Sequence, residues 1–310
     1  DPRAKTGGSV QMMTVAKPHS SASHTPLSFT AWAFLVCALT LRAARGTVVP
    51  LDALPLRTHG RDVVDRDGTR VRLFCVNWYG AHMGMLAVNG LNRQSLDTLA
   101  ARIAEMGFNC VRLPFSVHMV VGNGTHEWQE VLPPNPRWDL KANPGLQAKP
   151  ALEVFDDTVA ALARHGLLVI LNNHVSTPMW CCNGDDGEGL WYTSEYPEEQ
   201  FFKSWAFLAE RYRDEPRVVG VDLRNELRTT GALVPSWGSG DPSTDWAAAA
   251  VKAAKLVLAA DPDLLIVVSG LNYCMFLCEV PQHPIHETEA ELVGHVIYTS
   301  HEYSWFHVRL

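Results

Sequence analysis

An amide and a carboxylate close a short apolar run in the middle of the chain. The run from Val218 to Leu223 is rich in β-branched residues, which predicts a buried strand, and Arg224, Asn225 and Glu226 follow it. A carboxyl group with a tuned pKa can donate and accept a proton. Parallel α/β barrels build their active sites at the carboxyl ends of such strands. The motif alone fits a salt-bridged barrel rim equally well.

Six strand candidates alternate with helical patterns along the chain. The strands end near Val76, Leu113, Leu171, Leu223, Val268 and Tyr298. Between them, apolar residues recur at helical spacing, as in the segment from Ala151 to His165. This alternation predicts a parallel sheet with right-handed crossovers, and a complete α/β barrel would need two more strand-helix units.

Local signals predict three boundaries. Pro114 is expected to stop the second strand, because proline lacks the N–H that a sheet uses. Either Ser243 or Thr244 is expected to cap the alanine-rich helix that runs to Ala260. The segment Asp65-Arg-Asp-Gly68 predicts a turn between two short strands.

Composition excludes some classes of protein. The chain of 310 residues is 47% hydrophobic and 19% charged, and its formal charge of −7 argues against nucleic acid as the main partner. Its ten tryptophans lie mostly outside the helix and strand patterns. Exposed aromatic rings in loops usually bind flat apolar surfaces. No stable protein partner is implied.

Residues 1–46 have the pattern of a leader with a signal peptide. Lys17 precedes an apolar run from Phe29 to Leu41 that is too short to span a bilayer as a stable helix, and small residues follow it. Met12 or Met13 could be the start. An uncleaved signal anchor is the weaker alternative, because Arg42 and Arg45 come soon after the run. We therefore expect secretion, and the sequon Asn123-Gly-Thr125 fits a secreted surface loop.

The cysteines fit an oxidising compartment. Cys37 would leave with the leader, and an even number remain. Cys75 and Cys110 lie in strand-like runs, which predicts buried thiols. Disulfides are plausible for the four cysteines in loops, which are Cys181, Cys182, Cys274 and Cys278.

We expect neither a metal nor a cofactor. A zinc site built from His174, Cys181 and Cys182 is disfavoured, because adjacent cysteines lack the usual two-residue gap between zinc ligands.

Polar and aromatic residues recur where the predicted strands end. They are Asn77 and Trp78 after the first strand, Arg112 on the second, His174 on the third, Asn225 and Glu226 on the fourth, and His301 and Tyr303 on the sixth. This succession resembles glycoside hydrolase family five, the retaining cellulase family of the Asn-Glu barrel clan. The resemblance covers about residues 71 to 305.

Three longer strings are similar to the plant and microbial branch of that family. They are Met106-Gly-Phe-Asn-Cys-Val-Arg112, Asn173-His-Val-Ser176 with Trp180-Cys-Cys182, and Leu223-Arg-Asn-Glu-Leu-Arg228. The resemblance implies a (β/α)8 TIM barrel, of which about six βα units are present in this chain. It also implies that residues 47–310 form a glycoside hydrolase catalytic domain that is incomplete at its carboxyl end.

The resemblance implies catalytic roles for five residues. Glu226 matches the acid/base, whose pKa we expect to be raised by its surroundings. Asn225 matches the asparagine that binds the sugar hydroxyl next to the anomeric carbon. Arg112 matches the arginine that orients the nucleophile carboxylate, His301 matches a subsite histidine, and Tyr303 matches the tyrosine that contacts the nucleophile.

Substrate-binding residues are expected around this group. His174 matches the other subsite histidine of the family. The expected substrate-binding set is His174, Asn77, Trp78, Trp180, Trp191 and Trp305, and the tryptophans could stack on sugar faces. Loop packing is the alternative role for each tryptophan.

The family's activity would be retaining hydrolysis of a β-linked polysaccharide by double displacement. The family's nucleophile is a glutamate at the end of the seventh strand. This chain is expected to end near the loop after the sixth strand, before that glutamate. Glu302 and Glu287 are not expected to replace it, because a retaining pair stands about 5 to 5.5 Å apart and Glu302 should point away from its neighbours. We expect the 310 residues alone to be inactive. The alternatives are a carbohydrate-binding barrel without turnover and an inactive fragment, and the β-glycan is left open.

Overall fold

The computed structural model describes residues 46–122 and 140–304. Most of the predicted leader and the sequon at Asn123 lie outside these residues. Within them, no helix combines the length and the apolar character that crossing a bilayer requires.

The described residues are organised around a six-stranded parallel sheet. Its strands are β3 (Cys75–Asn77), β4 (Cys110–Ser116), β5 (Leu168–Val175), β6 (Val218–Asp222), β7 (Leu265–Ser269) and β8 (Val296–Thr299). They lie side by side in chain order, and every neighbouring pair is parallel. A separate antiparallel hairpin, β1 (Arg57–His59) with β2 (Asp62–Val64), precedes the sheet. The prediction of six parallel strands is confirmed.

Helices connect successive strands of the sheet. They are α1 (Leu96–Glu105), α2 (Val117–Val121), α3 (Ala151–Arg164), α4 (Glu198–Tyr212), α5 (Trp246–Ala260) and the short α6 (Leu271–Cys274) and α7 (Ile285–Thr288). Three 3₁₀ turns accompany them at Leu51–Ala53, Pro144–Leu146 and Ala290–Leu292. Buried side chains on α3, α4 and α5 pack on the sheet, as their apolar spacing predicts.

Strand β4 continues through Pro114, so the prediction that this proline ends it is wrong. The carbonyl of Arg112 accepts a hydrogen bond from the Trp78 amide on the β3 side. Pro114, two residues further, turns its nitrogen to that same side, where β3 has already ended at Asn77. The missing N–H therefore leaves no partner on β3 unsatisfied.

The cap of α5 is Asp245 rather than Ser243 or Thr244. One carboxylate oxygen of Asp245 accepts from the Ala248 and Gly238 amides, and the other accepts from the Gly240 amide. A carboxylate that collects three amides, one of them in the first helical turn, also complements the helix dipole. Ser243 and Thr244 each have a single uncharged hydroxyl, which offers fewer acceptor sites than this carboxylate.

Two apolar clusters cover opposite faces of the sheet. Val111 and Val169 belong to the larger cluster beneath the helices, whereas their neighbours Cys110 and Leu168 belong to the smaller one. This is the alternation that a strand imposes when both of its faces are covered. Trp205 of α4 is fully buried in the larger cluster, and its indole N–H donates to the Leu223 carbonyl at 3.1 Å.

Cys75 and Cys110 form a disulfide, so the prediction of buried thiols is wrong. The two residues are direct partners in the register of β3 and β4, which places their side chains side by side. Cys181 and Cys182 form a second disulfide, whereas Cys274 and Cys278 are free thiols. The expectation of loop disulfides therefore holds for only one pair.

Candidate active site

The carboxyl ends of the strands surround an open cavity of about 940 Å³. Eight of the sequence-predicted residues line it, namely Asn77, Arg112, His174, Trp180, Asn225, Glu226, His301 and Tyr303. They come from β3, β4, β5, β6 and β8 and from the loops after these strands. Parallel strands bring them together because their carboxyl ends all lie at the same edge of the sheet.

Glu226 lies in this cavity with only 7% of its surface exposed. Its backbone adopts a left-handed conformation (φ 37°), and the Arg228 guanidinium donates to its carbonyl at 2.9 Å. Its carboxylate oxygen Oε1 accepts hydrogen bonds from His301 Nδ1 at 2.8 Å and from the Tyr303 hydroxyl at 2.5 Å. A left-handed backbone at a residue other than glycine is the kind of local strain that clusters at functional sites.

The pKa of Glu226 is lowered, so the expectation of a raised pKa is wrong for this structure. Burial is the largest single influence and acts to raise the pKa. The hydrogen bonds from His301 and Tyr303 lower the pKa, and together with the electrostatic effects of His301 and Arg228 they outweigh burial. This arrangement therefore favours the carboxylate, which is the form that accepts a proton.

Removing the Tyr303 hydroxyl should raise the pKa of Glu226. In Tyr303→Phe the carboxylate loses a donor that stabilises its charged form, so a larger fraction of Glu226 is protonated at a given pH. Carbon-13 NMR of the labelled Glu226 carboxyl, followed through a pH titration, measures the change. Tyr298→Phe is the matched control, because that hydroxyl contacts His286 instead. An unchanged or lower pKa of Glu226 in Tyr303→Phe would contradict the claim that the Tyr303 hydroxyl lowers this pKa.

Arg112 on β4 connects the carboxyl end of β6, which leads into Glu226, with the end of β3. Its Nε donates to Asp222 Oδ2 at 2.6 Å, and its Nη2 donates to Asn225 Oδ1 at 2.9 Å. A third, longer contact joins Nη1 to Asn77 Oδ1 at 3.4 Å. The guanidinium therefore fixes the orientation of the Asn225 amide. Asp222 was missed in the sequence, although a charge inside an apolar strand was the available signal.

Two histidines in the cavity wall are neutral. His174 is buried against His82, with ring centroids 4.4 Å apart. Burial, followed by the charge of Arg112, lowers the pKa of His82 to about 4 and holds the pKa of His174 well below its usual value. Asn172 Oδ1 lies 2.7 Å from His174 Nδ1 and can only accept, so Nδ1 carries the proton and Nε2 presents a lone pair.

The predicted tryptophans have different fates. Trp180 is 67% exposed at the cavity, with its ring centroid 5.8 Å from that of Tyr79. Trp78 and Trp191 are buried, and their indole N–H groups donate to the Asn89 carbonyl and to Glu198. The expectation that these two stack on sugars is therefore wrong, because they pack in the core. Trp305 lies outside the described residues.

Glu302 also borders the cavity, although it was expected to point away from its neighbours. Residues 301–303 follow β8 outside the sheet, where the strict alternation of a strand does not apply. Tyr79, His82 and Tyr273 line the cavity as well and were not singled out in the sequence.

Two buried ion pairs fasten the loop after β5 to the chain that follows β6. Arg224 donates to Glu188 at 2.9 Å, and Arg228 Nη2 donates to both carboxylate oxygens of Asp186. Glu188 also accepts from the amides of Ser176 and Thr177. These arginines anchor the residues on either side of Glu226.

A parallel sheet with polar side chains gathered at the carboxyl ends of its strands is the arrangement found in the class of (β/α)8 barrels. Within that class, residues 64–309 match the sequence model of the cellulase family, glycosyl hydrolase family 5. The chain belongs to that family.

Several characterised proteins are similar to this chain. A glycosyl hydrolase 5 family protein of Chamaecyparis obtusa is 35% identical over 265 residues, which are 83% of this chain and 45% of that protein. An endoglucanase of Paenibacillus polymyxa is 28% identical over 273 residues, covering 83% of this chain and 63% of the relative. The major extracellular endoglucanase of Xanthomonas campestris is 34% identical over 214 residues, with coverages of 69% and 40%. The chain thus spans about half the length of these relatives.

Solved structures of the family share the fold. A hyperthermophilic endocellulase from Pyrococcus horikoshii superimposes with a TM-score of 0.70 at 25% identity, covering 84% of this chain and 72% of that one. The catalytic domain of the Xanthomonas campestris endoglucanase gives 0.68 at 27% identity, with coverages of 80% and 69%. The prediction of a (β/α)8 TIM barrel with six βα units in this chain is confirmed.

Proposed function

We propose that the protein hydrolyses a cellulose-type β-glucan as an endoglucanase, by double displacement with retention and with Glu226 as the acid/base. The observation that carries this proposal is the placement of Glu226 in the cavity, directly after Asn225, with His301 and Tyr303 on its carboxylate. No described residue is proposed as the nucleophile.

Glu226 has to exchange a proton twice in this mechanism. As an acid it protonates the departing glycosidic oxygen, and as a carboxylate it then deprotonates the attacking water. The lowered pKa of Glu226 favours its carboxylate form. A sugar that expels water from the cavity strengthens the effect of burial, which raises the pKa and supplies the acid form.

Asn225 and the cavity wall would bind the sugar. Arg112 donates to the Asn225 carbonyl oxygen, and the amide nitrogen, which also contacts the sulfurs of Cys181 and Cys182, would donate to the hydroxyl next to the anomeric carbon. The neutral His174 accepts through Nε2, and the exposed ring of Trp180 beside Tyr79 offers a surface for a pyranose face. His301 and Tyr303 act through the Glu226 carboxylate.

The named relatives support this substrate class and an extracellular location. They include endoglucanases, and the Pyrococcus horikoshii endocellulase was solved in complex with cellotetraose. The Xanthomonas campestris relative is named as extracellular, and two disulfides suit an oxidising compartment. We therefore propose secretion through a signal peptide within residues 1–46, with residues 47–310 in the catalytic domain.

Proton NMR of the products formed from a soluble β-glucan by the full-length protein tests the proposal. The β-anomer should appear first and then mutarotate, because double displacement retains configuration. An α-anomer formed first would refute the proposed mechanism. Glucan binding without any new anomeric signal would instead indicate a carbohydrate-binding protein.

A further inference from the structure

The disulfide between Cys181 and Cys182 borders the cavity and touches a proposed catalytic group. The Asn225 amide nitrogen lies 3.4 Å from Cys182 Sγ and 3.6 Å from Cys181 Sγ. Arg112 donates to the oxygen of the same amide, so the arginine and the two sulfurs together fix the orientation of the Asn225 side chain. Because the two sulfurs are bonded to each other, one N–H of the amide can contact both, which leaves the second N–H for a ligand.

The disulfide is itself held rigidly. The bond joins adjacent residues and so closes a small ring, in which Cys182 has a left-handed backbone with φ 82°. The amides of Cys182 and Asn183 both donate to Asp186 Oδ2 at 3.0 Å. Asp186 is paired with the buried Arg228, so the ring is fixed to the segment that carries Glu226.

The neighbouring histidine makes the contact depend on the redox state. His174 Nε2, which carries a lone pair, lies 3.3 Å from Cys181 Sγ. A disulfide sulfur has no proton to give, whereas a thiol would donate to that nitrogen. Two unbonded sulfurs also separate from the bond length of about 2 Å to van der Waals contact. Reduction would therefore turn Cys181 towards His174 and withdraw sulfur from Asn225.

We propose that the Cys181–Cys182 disulfide is a positioning group for Asn225, which aims its free N–H at the sugar hydroxyl next to the anomeric carbon. Reduction of this bond then lowers turnover. The inference rests on the proposed function of Asn225. In the reduction, dithiothreitol gives up two electrons and two protons and becomes its cyclic disulfide, and each cysteine sulfur gains one electron and one proton.

The test compares two aryl β-cellobiosides, one with the hydroxyl next to the anomeric carbon and one without it. Reduction of the full-length protein should lower kcat/KM for the complete substrate by about 10- to 100-fold, because small misplacements of reacting partners cost on the order of 10². The deoxy substrate should lose much less, because it retains only the effect of the Cys181 thiol on His174 Nε2. The double variant Cys181→Ser/Cys182→Ser should behave like the reduced protein, and reoxidation should restore the wild type.

Two controls separate this effect from a loss of structure. Cys75→Ser/Cys110→Ser removes the other described disulfide and should keep the full response to reductant. The melting temperature of each protein reports folding, and mass spectrometry after alkylation confirms that Cys181 and Cys182 are reduced.

Asn225→Ala distinguishes the two possible failures. If this variant loses activity selectively on the complete substrate but reduction of the disulfide changes both substrates equally or neither, the inference is overturned and the proposed function stands. If Asn225→Ala slows both substrates equally, the proposed role of Asn225 fails, and the inference fails with it.

Discussion

Replacing Glu226 by alanine is expected to slow hydrolysis of an unactivated β-glucan by about 10²- to 10⁴-fold, the usual size of a general-acid contribution. On the proposed mechanism, a poor leaving group needs a proton from Glu226, whereas an activated phenolate departs without one. The first step on an aryl glycoside should therefore lose less. The variant should fold, because the side chain is held by His301 and Tyr303 at the cavity and not within the apolar core.

Single-turnover and steady-state rates on both substrates measure this difference in the full-length protein. Glu287→Ala is the control, because that carboxylate is on α7 with 70% of its side chain exposed. Its rates should match those of the wild type. Equal losses on both substrates in Glu226→Ala would remove Glu226 from the acid/base role.

Replacing Glu188 by alanine is expected to lower the free energy of unfolding by about 3–5 kcal/mol, the cost of leaving one partner of a buried ion pair behind. Glu188 and Arg224 have side chains that are 1% and 0% exposed. The change leaves the buried Arg224 guanidinium without its carboxylate partner. It also removes the acceptor of the Ser176 and Thr177 amides. Urea denaturation monitored by tryptophan fluorescence measures the loss.

Two further variants make this result specific to burial. Glu105→Ala breaks an exposed pair with Arg102 and should cost about 0–1 kcal/mol. The double change Arg224→Met/Glu188→Leu removes both charges and should be more stable than Glu188→Ala, because no charge is then buried alone. If Glu188→Ala were as mild as Glu105→Ala, the anchoring role of this pair would be wrong.

The sheet could be predicted from the sequence because each strand carries its own signal. Apolar runs such as Leu167–Leu171 and Leu264–Val268 end within a few residues of the observed β5 and β7. The course of β4 past Pro114 could not, since it depends on where the neighbouring strand β3 ends. The Cys75–Cys110 disulfide could not be predicted either, because it depends on the register between β3 and β4.

In the candidate site, the gathering of the polar residues at one cavity was predictable, and their environments were not. The order of polar residues on successive strands placed Arg112, Asn225, Glu226 and His301 at one cavity. The lowered pKa of Glu226 arises from donors on another loop, which no local pattern encodes. Burial of Trp191 was equally inaccessible, because a tryptophan in a loop gives no sign of which side faces the core.

Azide rescue of Glu226→Ala tests the central claim most directly. On the proposed mechanism, an activated aryl β-glycoside should still form the glycosyl-enzyme in the variant, but water should lack the base that activates it. Azide needs no base and attacks from the face that water would use. The account predicts restored turnover and a β-glycosyl azide as the product. Absence of rescue, or an α-glycosyl azide, would contradict the assignment of Glu226 as the acid/base of a retaining enzyme.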